Sequence, residues 1–379
     1  MEWVQGALFG TKNNSAAGPD GLGYRLIRTV QDTRLGSEVM GEIAAALRGG
    51  YIPDRWRDMQ VVLILKPGQD LTQTKNWSLL NLINCIGRIG EKVLANRIQV
   101  EGRSLLHHQK YGSVRGRSAV DVLYKSVVTG RQCMDGGGSV GWSFWDVKGG
   151  FQNVGSAEVL ARMEGCGRLR CWLPWMQRFM SLREFEVAWD GSVRGRGAAT
   201  KGVPQGSPLS PVLFLVFMAP ILEEMERRVK EEVGREEVQF PSYVDDLHCG
   251  LYDRRGAGEE VVKRERMQDL IARVQWVVAE VAAEQRLPLA ADNISKKNFR
   301  RYALHLQVRP IPAPHFIVRQ QAPCIYLSAL SALKFHLSPY PQPHLPARPI
   351  HTHTSTFPSL LLAQLALLAR LGTYTQTAP

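Results

Sequence analysis

The spacing of apolar residues along roughly the first 295 positions predicts alternating helices and strands. A helical pattern runs from IRTV to AALRGG and ends at Gly49-Gly50. The continuous apolar run VVLILKPG (61–68) predicts a strand closed by Pro-Gly. Helical spacing returns in LLNLINCIGRIGEKVLANRI (79–98), and SVGWSFWDV (139–147) predicts a second strand.

The next part of the chain continues in the same way. Helix-like segments occupy residues 156–181, and EFEVAWDGSVRG (184–195) predicts a hairpin with an Asp-Gly turn. A long helix is expected over 211–233, and the stretch YVDD (243–246) falls between two short apolar runs that predict another hairpin. The last helix is predicted from an apolar stripe formed by Met267, Leu270, Ile271, Val274, Val277, Val278 and Val281.

The composition changes after about residue 295. From residue 296 onward the chain holds 11 of its 21 prolines, six of its nine histidines, no carboxylate and no apolar period. We expect this tail (296–379) to be disordered, because it cannot bury enough apolar surface to offset the entropy of ordering. Low complexity that begins so abruptly is also typical of a foreign reading frame or an unspliced intron joined to a real domain.

The net charge of +12 suggests a polyanionic partner such as nucleic acid. Nine of the 47 basic residues and none of the 35 acidic ones lie in the tail, so the first 295 residues carry a charge of only +3. No CxxC pair or secretory signal is present, which predicts reduced thiols in an intracellular protein of the nucleus, the cytoplasm or both. The apolar run LLLAQLALLARL (360–371) is about half the length that a bilayer requires, so no transmembrane segment is expected.

Three carboxylates are candidates for chemistry. Asp146 ends the predicted strand 139–147, and Asp245 and Asp246 lie in the predicted YVDD hairpin. Taken singly, each is more often a cap or a solvated turn residue. A carboxylate at a strand end beside a carboxylate pair would concentrate negative charge that bound cations offset. Two Mg²⁺ ions about 3.5–4 Å apart are the usual solution in phosphoryl transfer.

The stretch KGVPQGSPLSPVLF (201–214) lies between these acidic sites and leads into the predicted long helix. Two glycines and three prolines fall within ten positions, a composition typical of a loop: Gly202, Pro204, Gly206, Pro208 and Pro211. Such a loop at a helix N-terminus can bring backbone and the Gln205 side chain against a base pair or a phosphate. A rigid connection between two elements is the alternative.

In order and spacing, these segments resemble the reverse transcriptases of non-LTR (LINE-type) retrotransposons, most closely the Tad-like elements of fungi. WDVKGGFQNV, GVPQGSPLSPVLF and YVDD match the palm of that family, whereas AAGPDGLGYRLI, WRDMQVVLILKPGQD, LLNLINCIGRIGEKVLANRI and QKYGSVRGRSAVDVL match its fingers and early palm. The resemblance implies a right-hand polymerase fold of the α+β class. Its parts would be an N-terminal extension (1–14), fingers (15–115), a palm with the catalytic motifs (116–295) and, without a thumb, the tail (296–379).

The resemblance implies a metal site and its ligands. Asp146 and Asp245 match the direct ligands, Asp246 matches a more supportive carboxylate, and the carbonyl of Val147 would be a further ligand. The implied cofactor is a pair of Mg²⁺ ions, with Mn²⁺ as a possible substitute. The implied partners are an RNA template, a DNA primer and dNTPs, with no membrane; the sequence does not indicate an oligomeric state.

The resemblance also implies nucleotide contacts. Phe151 matches the bulky residue that leaves no room for a 2′-hydroxyl, although a core Phe is the alternative. Gln205 and Gly206 match residues that pack against the incoming nucleotide and template, and Tyr243 matches one near the primer end. Lys66 matches a fingers Lys near the triphosphate, or is a solvated turn residue.

Arg115 and Arg117 match a basic loop near template and phosphates; solvated charge is the alternative for both. Two segments depart from the family. Ser78 in KNWSLLNL occupies the region where Tad-like relatives carry Arg-Pro-Ile, and that Arg would hold the triphosphate through bidentate bonds. After LPLAADN (287–293) the expected strand with a proton-donating Lys is replaced by ISKKNFRR, in which Lys296 or Lys297 could substitute.

The predicted function is RNA-directed DNA polymerisation. A catalytically inactive retroelement remnant with weak or no nucleic-acid binding is the alternative that Ser78 and the missing thumb favour. A viral RNA-dependent RNA polymerase shares the palm, but WDVKGGF and YVDD differ from the second Asp and the Gly-Asp-Asp usual in those enzymes. A group II intron maturase is nearer, although the flanking segments fit the LINE type better.

Overall fold

The computed structural model describes residues 2–73, 76–181, 183–189, 192–234, 237–254 and 260–289. The predicted tail (296–379) lies outside these ranges. The helices within them are α1 (Glu2–Phe9), α2 (Tyr24–Val30), α3 (Arg34–Gly49), α4 (Asp54–Arg57), α5 (Cys85–Glu101), α6 (Ala119–Asp135), α7 (Ser156–Gly165), α8 (Leu173–Met180), α9 (Ser210–Val233) and α10 (Glu260–Glu284). The strands are β1 (Met59–Leu65), β2 (Trp77–Ile83), β3 (Ser139–Asp146), β4 (Arg183–Trp189), β5 (Ser192–Ala199), β6 (Glu237–Gln239), β7 (Ser242–Tyr243) and β8 (Asp246–Asp253).

Most of the predicted elements are confirmed. Helix α3 ends at Gly49, and Gly50 caps it with a left-handed φ of 65°, a conformation that glycine adopts without steric cost. Strands β1 and β3 lie where the apolar runs predict them, and β4 and β5 form the antiparallel hairpin, whose Asp-Gly turn lies outside the described residues. Every member of the predicted apolar stripe on α10 is buried.

The helix predicted over 79–98 is wrong in its first part. Residues Trp77–Ile83 form strand β2, and helix α5 begins only at Cys85. β2 pairs with β1 along its full length, from Ile83 opposite Met59 to Trp77 opposite Leu65. A short apolar run fits a strand as well as a helix, and here the pairing with β1 decides between them.

The described chain divides into two compact units, each made of separate segments. Unit 1 comprises Met1–Gly116, Lys148–Glu224 and Gln285–Pro288, and unit 2 comprises Arg117–Val147 and Met225–Glu284 together with Leu289. The division into fingers (15–115) and palm (116–295) describes function rather than compactness and stays a prediction.

Unit 1 contains a sheet of order β2-β1-β4-β5, in which β1 is antiparallel to β2 and parallel to β4. Helices α1 and α3 pack against α5. The side chains of Leu8, Ile43, Ile89, Leu94 and Ile98 from these three helices are fully buried. Burial of each such aliphatic side chain stabilises the fold by about 1.5–3 kcal/mol. Because α1 and α3 both pack against α5, this helix is the centre of the apolar core of unit 1.

Unit 2 contains a sheet of order β3-β8-β6, and β7 also pairs with β8. Helices α6 and α10 both pack against β3 and β8. Gly141 of β3 allows the close approach of α10, because a Cβ atom at this position would lie 2.5 Å from the Met267 sulfur. The strands that carry the predicted carboxylates therefore belong to the core of unit 2.

The five cysteines that the structure describes are free thiols. Within the described ranges, no helix is long and apolar enough to cross a membrane. The free thiols agree with the expected reduced cysteines, and the apolar run 360–371 lies outside the described residues.

Candidate active site

Two of the predicted carboxylates are brought together by the register of β3 and β8. Asp146, the last residue of β3, lies directly opposite Asp246, the first residue of β8. Directly opposed residues project from the same face of a sheet with Cβ atoms about 4.5–5.5 Å apart. Two residues far apart in sequence thus place their carboxylates side by side at one edge of unit 2.

The third carboxylate lies in the turn of the YVDD hairpin. Tyr243 pairs with Asp246, so Val244 and Asp245 form a two-residue turn between β7 and β8. The Asp245 side chain is exposed, and its carbonyl accepts a hydrogen bond of 3.3 Å from the Val147 amide. This bond ties the turn to the residue after β3, so Asp245 stays next to the opposed pair.

Val244 has an unusual backbone conformation for a β-branched residue. Its φ is 54°, in the left-handed region that favours glycine. Conformations of this kind cost on the order of 1–3 kcal/mol and persist only where the surroundings impose them. In the YVDD hairpin, pairing on both sides of the turn imposes it.

A ladder of aromatic side chains stabilises the register of β3 and β8. Trp142 contacts Tyr252 edge to face at 5.5 Å between ring centroids and also lies 5.8 Å from His248. Phe144 lies 5.7 Å from the His248 ring. Because alternate residues share a face, this ladder and the Asp146–Asp246 pair lie on the same side of the sheet. A slip by one residue would move all of them to the opposite face.

The donor set fits a hard divalent cation. Carboxylates and backbone carbonyls are the oxygen ligands that Mg²⁺ prefers. Here Asp146 and Asp246 are opposed on β3 and β8, and Asp245 lies in the turn from β7 to β8. The carbonyl of Val147, a buried residue directly after Asp146, is a further oxygen at the same edge.

In unit 1, the segment Gly202–Leu209, hereafter the PQG loop, lies on β2. The Asn81 amide donates a 2.8 Å hydrogen bond to the Gln205 carbonyl. At Gly206, where φ is 134°, a Cβ atom would lie 2.3 Å from the Asn81 carbonyl oxygen. Only glycine permits this approach, and the side chain of Gln205 remains exposed.

Two buried ionisable residues hold the PQG loop from inside unit 1. The Ser207 hydroxyl donates a 2.6 Å hydrogen bond to Glu91 of α5, and Arg183 of β4 donates one of 2.5 Å to the Gly202 carbonyl. Burial raises the pKa of Glu91 to about 7, although the hydrogen bond from Ser207 and the charge of Arg88 oppose the change. Burial likewise lowers the pKa of Arg183 to about 10.

Phe151 is half-buried in a short 3₁₀ helix, Gly150–Asn153, of unit 1. Its ring meets that of Phe214 edge to face at 5.7 Å, and its carbonyl accepts a 2.8 Å hydrogen bond from the Val203 amide. The residue therefore supports the start of the PQG loop. Its role at a sugar 2′ position stays a prediction.

The predicted basic residues lie at exposed or half-exposed positions. Lys66 follows β1 in an exposed turn, where its amide donates a 2.9 Å hydrogen bond to the Asn76 carbonyl. Arg115 of unit 1 is exposed and its amide donates a 2.6 Å hydrogen bond to the Gln99 side chain. Arg117 of unit 2 is half-buried. The roles predicted for these three residues stay predictions.

The sequence patterns did not predict the buried positions of Glu91 and Arg183. Each is a charged residue within an amphipathic helix or strand, where charged side chains normally face solvent. The one available signal was the position of Glu91 in RIGEKVLANRI, three and seven residues before Leu94 and Ile98, which places it on the helix face that these two apolar residues share.

A family profile described as "Reverse transcriptase (RNA-dependent DNA polymerase)" matches residues 64–277, more than half of the chain. This range includes both acidic positions and the PQG loop.

Several individual proteins are similar. The RNA-directed DNA polymerase from mobile element jockey of Drosophila melanogaster is 24% identical over 249 residues, which cover 65% of this chain and 26% of that protein. The Pol polyprotein from retrotransposable element R2 of Popillia japonica is 24% identical, over 65% of this chain and 34% of its own. The Pol polyprotein from retrotransposable element R1 of Bradysia coprophila is 22% identical, over 59% of this chain and 22% of its own. The chain thus spans about a fifth to a third of the length of these relatives.

Proposed function

Because the chain belongs to the reverse transcriptase (RNA-dependent DNA polymerase) family, we propose that it acts as the polymerase of a non-LTR retrotransposon of the fungal Tad-like type. The reaction joins the primer 3′-oxygen to the α-phosphorus of a dNTP opposite an RNA template, and pyrophosphate leaves. The observation that carries this proposal is the pairing of Asp146 with Asp246, with Asp245 in the adjoining turn.

We assign metal binding to this edge of unit 2. Asp146 and Asp245 would be direct ligands, Asp246 a supporting carboxylate and the Val147 carbonyl a fourth oxygen. Two Mg²⁺ ions, or Mn²⁺, would lower the pKa of the primer 3′-hydroxyl and offset charge on the phosphates. The part of the protein is to hold these oxygens at fixed positions, which the strand register and the aromatic ladder achieve.

Other residues would bind the substrates. We propose that Phe151 excludes a 2′-hydroxyl and thereby selects dNTPs, and that Gln205 and Gly206 contact the incoming nucleotide and template. Tyr243 would lie near the primer end, and Lys66 near the triphosphate. The exposure of Gln205 and Lys66 is compatible with such contacts.

The basic residues Arg115 and Arg117 would contact template phosphates. Neutralised phosphates release counterions, so binding that depends on these side chains should weaken as salt is raised.

A second candidate function, an inactive remnant that binds nucleic acid weakly, is favoured by Ser78. This residue is half-buried in β2 opposite Ile64 and offers a hydroxyl where the family resemblance implies a guanidinium. A hydroxyl cannot replace the bidentate, charged contact of an Arg with phosphate.

Primer extension on an RNA template with Mg²⁺ tests the proposal. The full chain is compared with Asp146→Asn and Asp245→Asn, which keep the side-chain shape but remove the charge. Asp269→Asn is the matched control, because Asp269 is an exposed carboxylate of α10 in the same unit. We expect dNTP incorporation by the wild type and the control and a loss of at least about a hundredfold in the two site variants.

Incorporation that survives both site substitutions would refute the metal-site assignment. A folded wild-type chain that incorporates nothing with either Mg²⁺ or Mn²⁺ would instead support the remnant. Circular dichroism of all four proteins establishes that each is folded.

A further inference from the structure

The PQG loop exposes Gln205 and Gly206, yet the groups that fix its two ends are buried. Ser207 and Ser210 near its end are 4% and 1% exposed, and Gly202 at its start is buried as well. The loop is therefore anchored from the interior of unit 1, and its exposed tip depends on buried contacts for its position.

The first anchor is a chain of hydrogen bonds from Glu91 to the end of the loop. The Ser207 hydroxyl donates to the Glu91 carboxylate at 2.6 Å and accepts from the Leu209 amide at 3.0 Å. The Ser207 hydroxyl thus both donates and accepts a hydrogen bond, and the two bonds together fix its orientation. The Ser210 hydroxyl adds a 2.8 Å bond to the Pro204 carbonyl, which closes the loop over these contacts.

The second anchor is Arg183 at the start of the loop. One guanidinium nitrogen donates to the Gly202 carbonyl at 2.5 Å, and another donates to the Phe179 carbonyl at 2.7 Å. Gly202 itself has a φ of 76°, and a Cβ atom there would lie 2.6 Å from the Gln152 carbonyl oxygen. The first residue of the loop is thus fixed by a directional bond and by close backbone packing.

These anchors are costly for a purely structural role. Glu91 and Arg183 are 5% and 6% exposed, and both line a cavity of about 30 Å³ with Trp56 and Trp175. Burial of ionisable groups is expensive, and a well-packed apolar pair is often at least as stable. Apolar side chains cannot, however, fix the direction of a hydroxyl or a carbonyl. Directional control of the loop accounts for polar residues at these positions.

We propose that Glu91, acting through Ser207, and Arg183, acting through the Gly202 carbonyl, are positioning residues that set the place of Gln205 and Gly206 for nucleotide binding. The part concerning the nucleotide rests on the proposed polymerase function. The anchoring of the loop does not, so the two are measured separately.

Anchoring is measured by hydrogen–deuterium exchange in the full chain without substrate. Glu91→Ala removes the acceptor of the Ser207 hydroxyl, and Ser207→Ala removes the acceptor of the Leu209 amide without a cavity in the core. We expect exchange of the 203–209 peptide to accelerate about tenfold or more in both variants. Glu91→Gln retains an acceptor oxygen and should restore protection. Glu101→Gln, on the same helix but paired with Arg97, is the control and should not change exchange.

The effect on the nucleotide is measured by primer extension at varied dNTP concentration. We expect Ser207→Ala and Glu91→Ala to raise the KM for dNTP about tenfold, with less change in kcat and none in the KM for primer–template. Glu91→Gln should stay within about threefold of the wild type. A merely structural role would lower the amount of active protein and hence kcat, and would leave the KM for dNTP unchanged.

Unchanged exchange of the 203–209 peptide in both alanine variants would overturn the anchoring. Accelerated exchange with an unchanged KM for dNTP would overturn the link to nucleotide binding. If the folded wild type polymerises nothing, the proposed function fails and the nucleotide part fails with it, while the exchange result still decides whether Glu91 and Ser207 hold the loop.

Discussion

The buried carboxyl of Glu91 should make the stability of the protein depend on pH. Its pKa is about 7 in the folded chain against an ordinary value of 4.5. The folded state therefore holds this proton at pH values where the unfolded chain has released it. Stability falls wherever the folded state binds more protons, so it should decrease as the pH rises from about 4.5 to 7 and then level off.

The magnitude follows from the difference between the two pKa values. Each pKa unit corresponds to about 1.4 kcal/mol, so complete ionisation of Glu91 should cost roughly 3 kcal/mol of unfolding free energy. The charged groups that face it are Arg88 on its own helix and Arg183 on β4, and both lower its pKa. Guanidinium groups stay protonated in proteins, so the pH dependence belongs to Glu91.

Urea denaturation at a series of pH values from 4.5 to 8 measures the effect, with Glu91→Gln as the reference. Other carboxylates and histidines titrate identically in the two proteins and cancel in the difference. We expect the variant to gain up to about 3 kcal/mol relative to the wild type between pH 4.5 and 7.5. A difference that does not vary with pH would refute the reasoning, because it would show that Glu91 ionises as readily when folded as when unfolded.

Three further predictions concern the stability of local structure, and each is measured by urea denaturation. Gly206→Ala should lower the unfolding free energy by about 2 kcal/mol or more, because the added Cβ would clash with Asn81. The control Gly68→Ala, at a φ of 71° with open space around it, should lower it by only about 1 kcal/mol. Equal losses of unfolding free energy would exclude the clash with Asn81 as the cause. Val244→Gly should keep or raise stability by up to about 1 kcal/mol as strain is relieved, and a marked loss would contradict this. Ser118→Ala breaks the capping box at the start of α6 and should cost about 1 kcal/mol, whereas Ser118→Thr should not.

The sequence was sufficient where the determinants are local. The stripe on α10, the run that becomes β3 and the turn signals around YVDD each depend on residues close together in the chain. Asp146 and Asp245 could therefore be placed at a strand end and in a hairpin turn before the structure was known. The helix predicted over 79–98 was wrong in its first part because the structure there depends on a distant segment. Only the pairing with β1 distinguishes β2 from the start of α5.

The buried anchors of the PQG loop could not be predicted from the sequence for the same reason, because their partners are distant in the chain. Glu91 and Ser207 are 116 residues apart, and no periodic pattern relates them. A charged residue in an amphipathic helix is usually exposed, so Glu91 reads as surface until its partner is known. The register that opposes Asp146 to Asp246 is likewise a long-range property, although the family resemblance anticipated that the two residues act together.

That register also has a consequence for biosynthesis. Asp146 and Asp246 are neighbours in the sheet but 100 positions apart in the chain, so β8 must leave the ribosome before they can pair. Closing so long a loop costs entropy before any contact repays it, and strand pairings of this range form slowly. A growing chain is consequently without its full set of carboxylates until translation has passed β8. The proposed metal site would therefore be complete only once β8 has been synthesised.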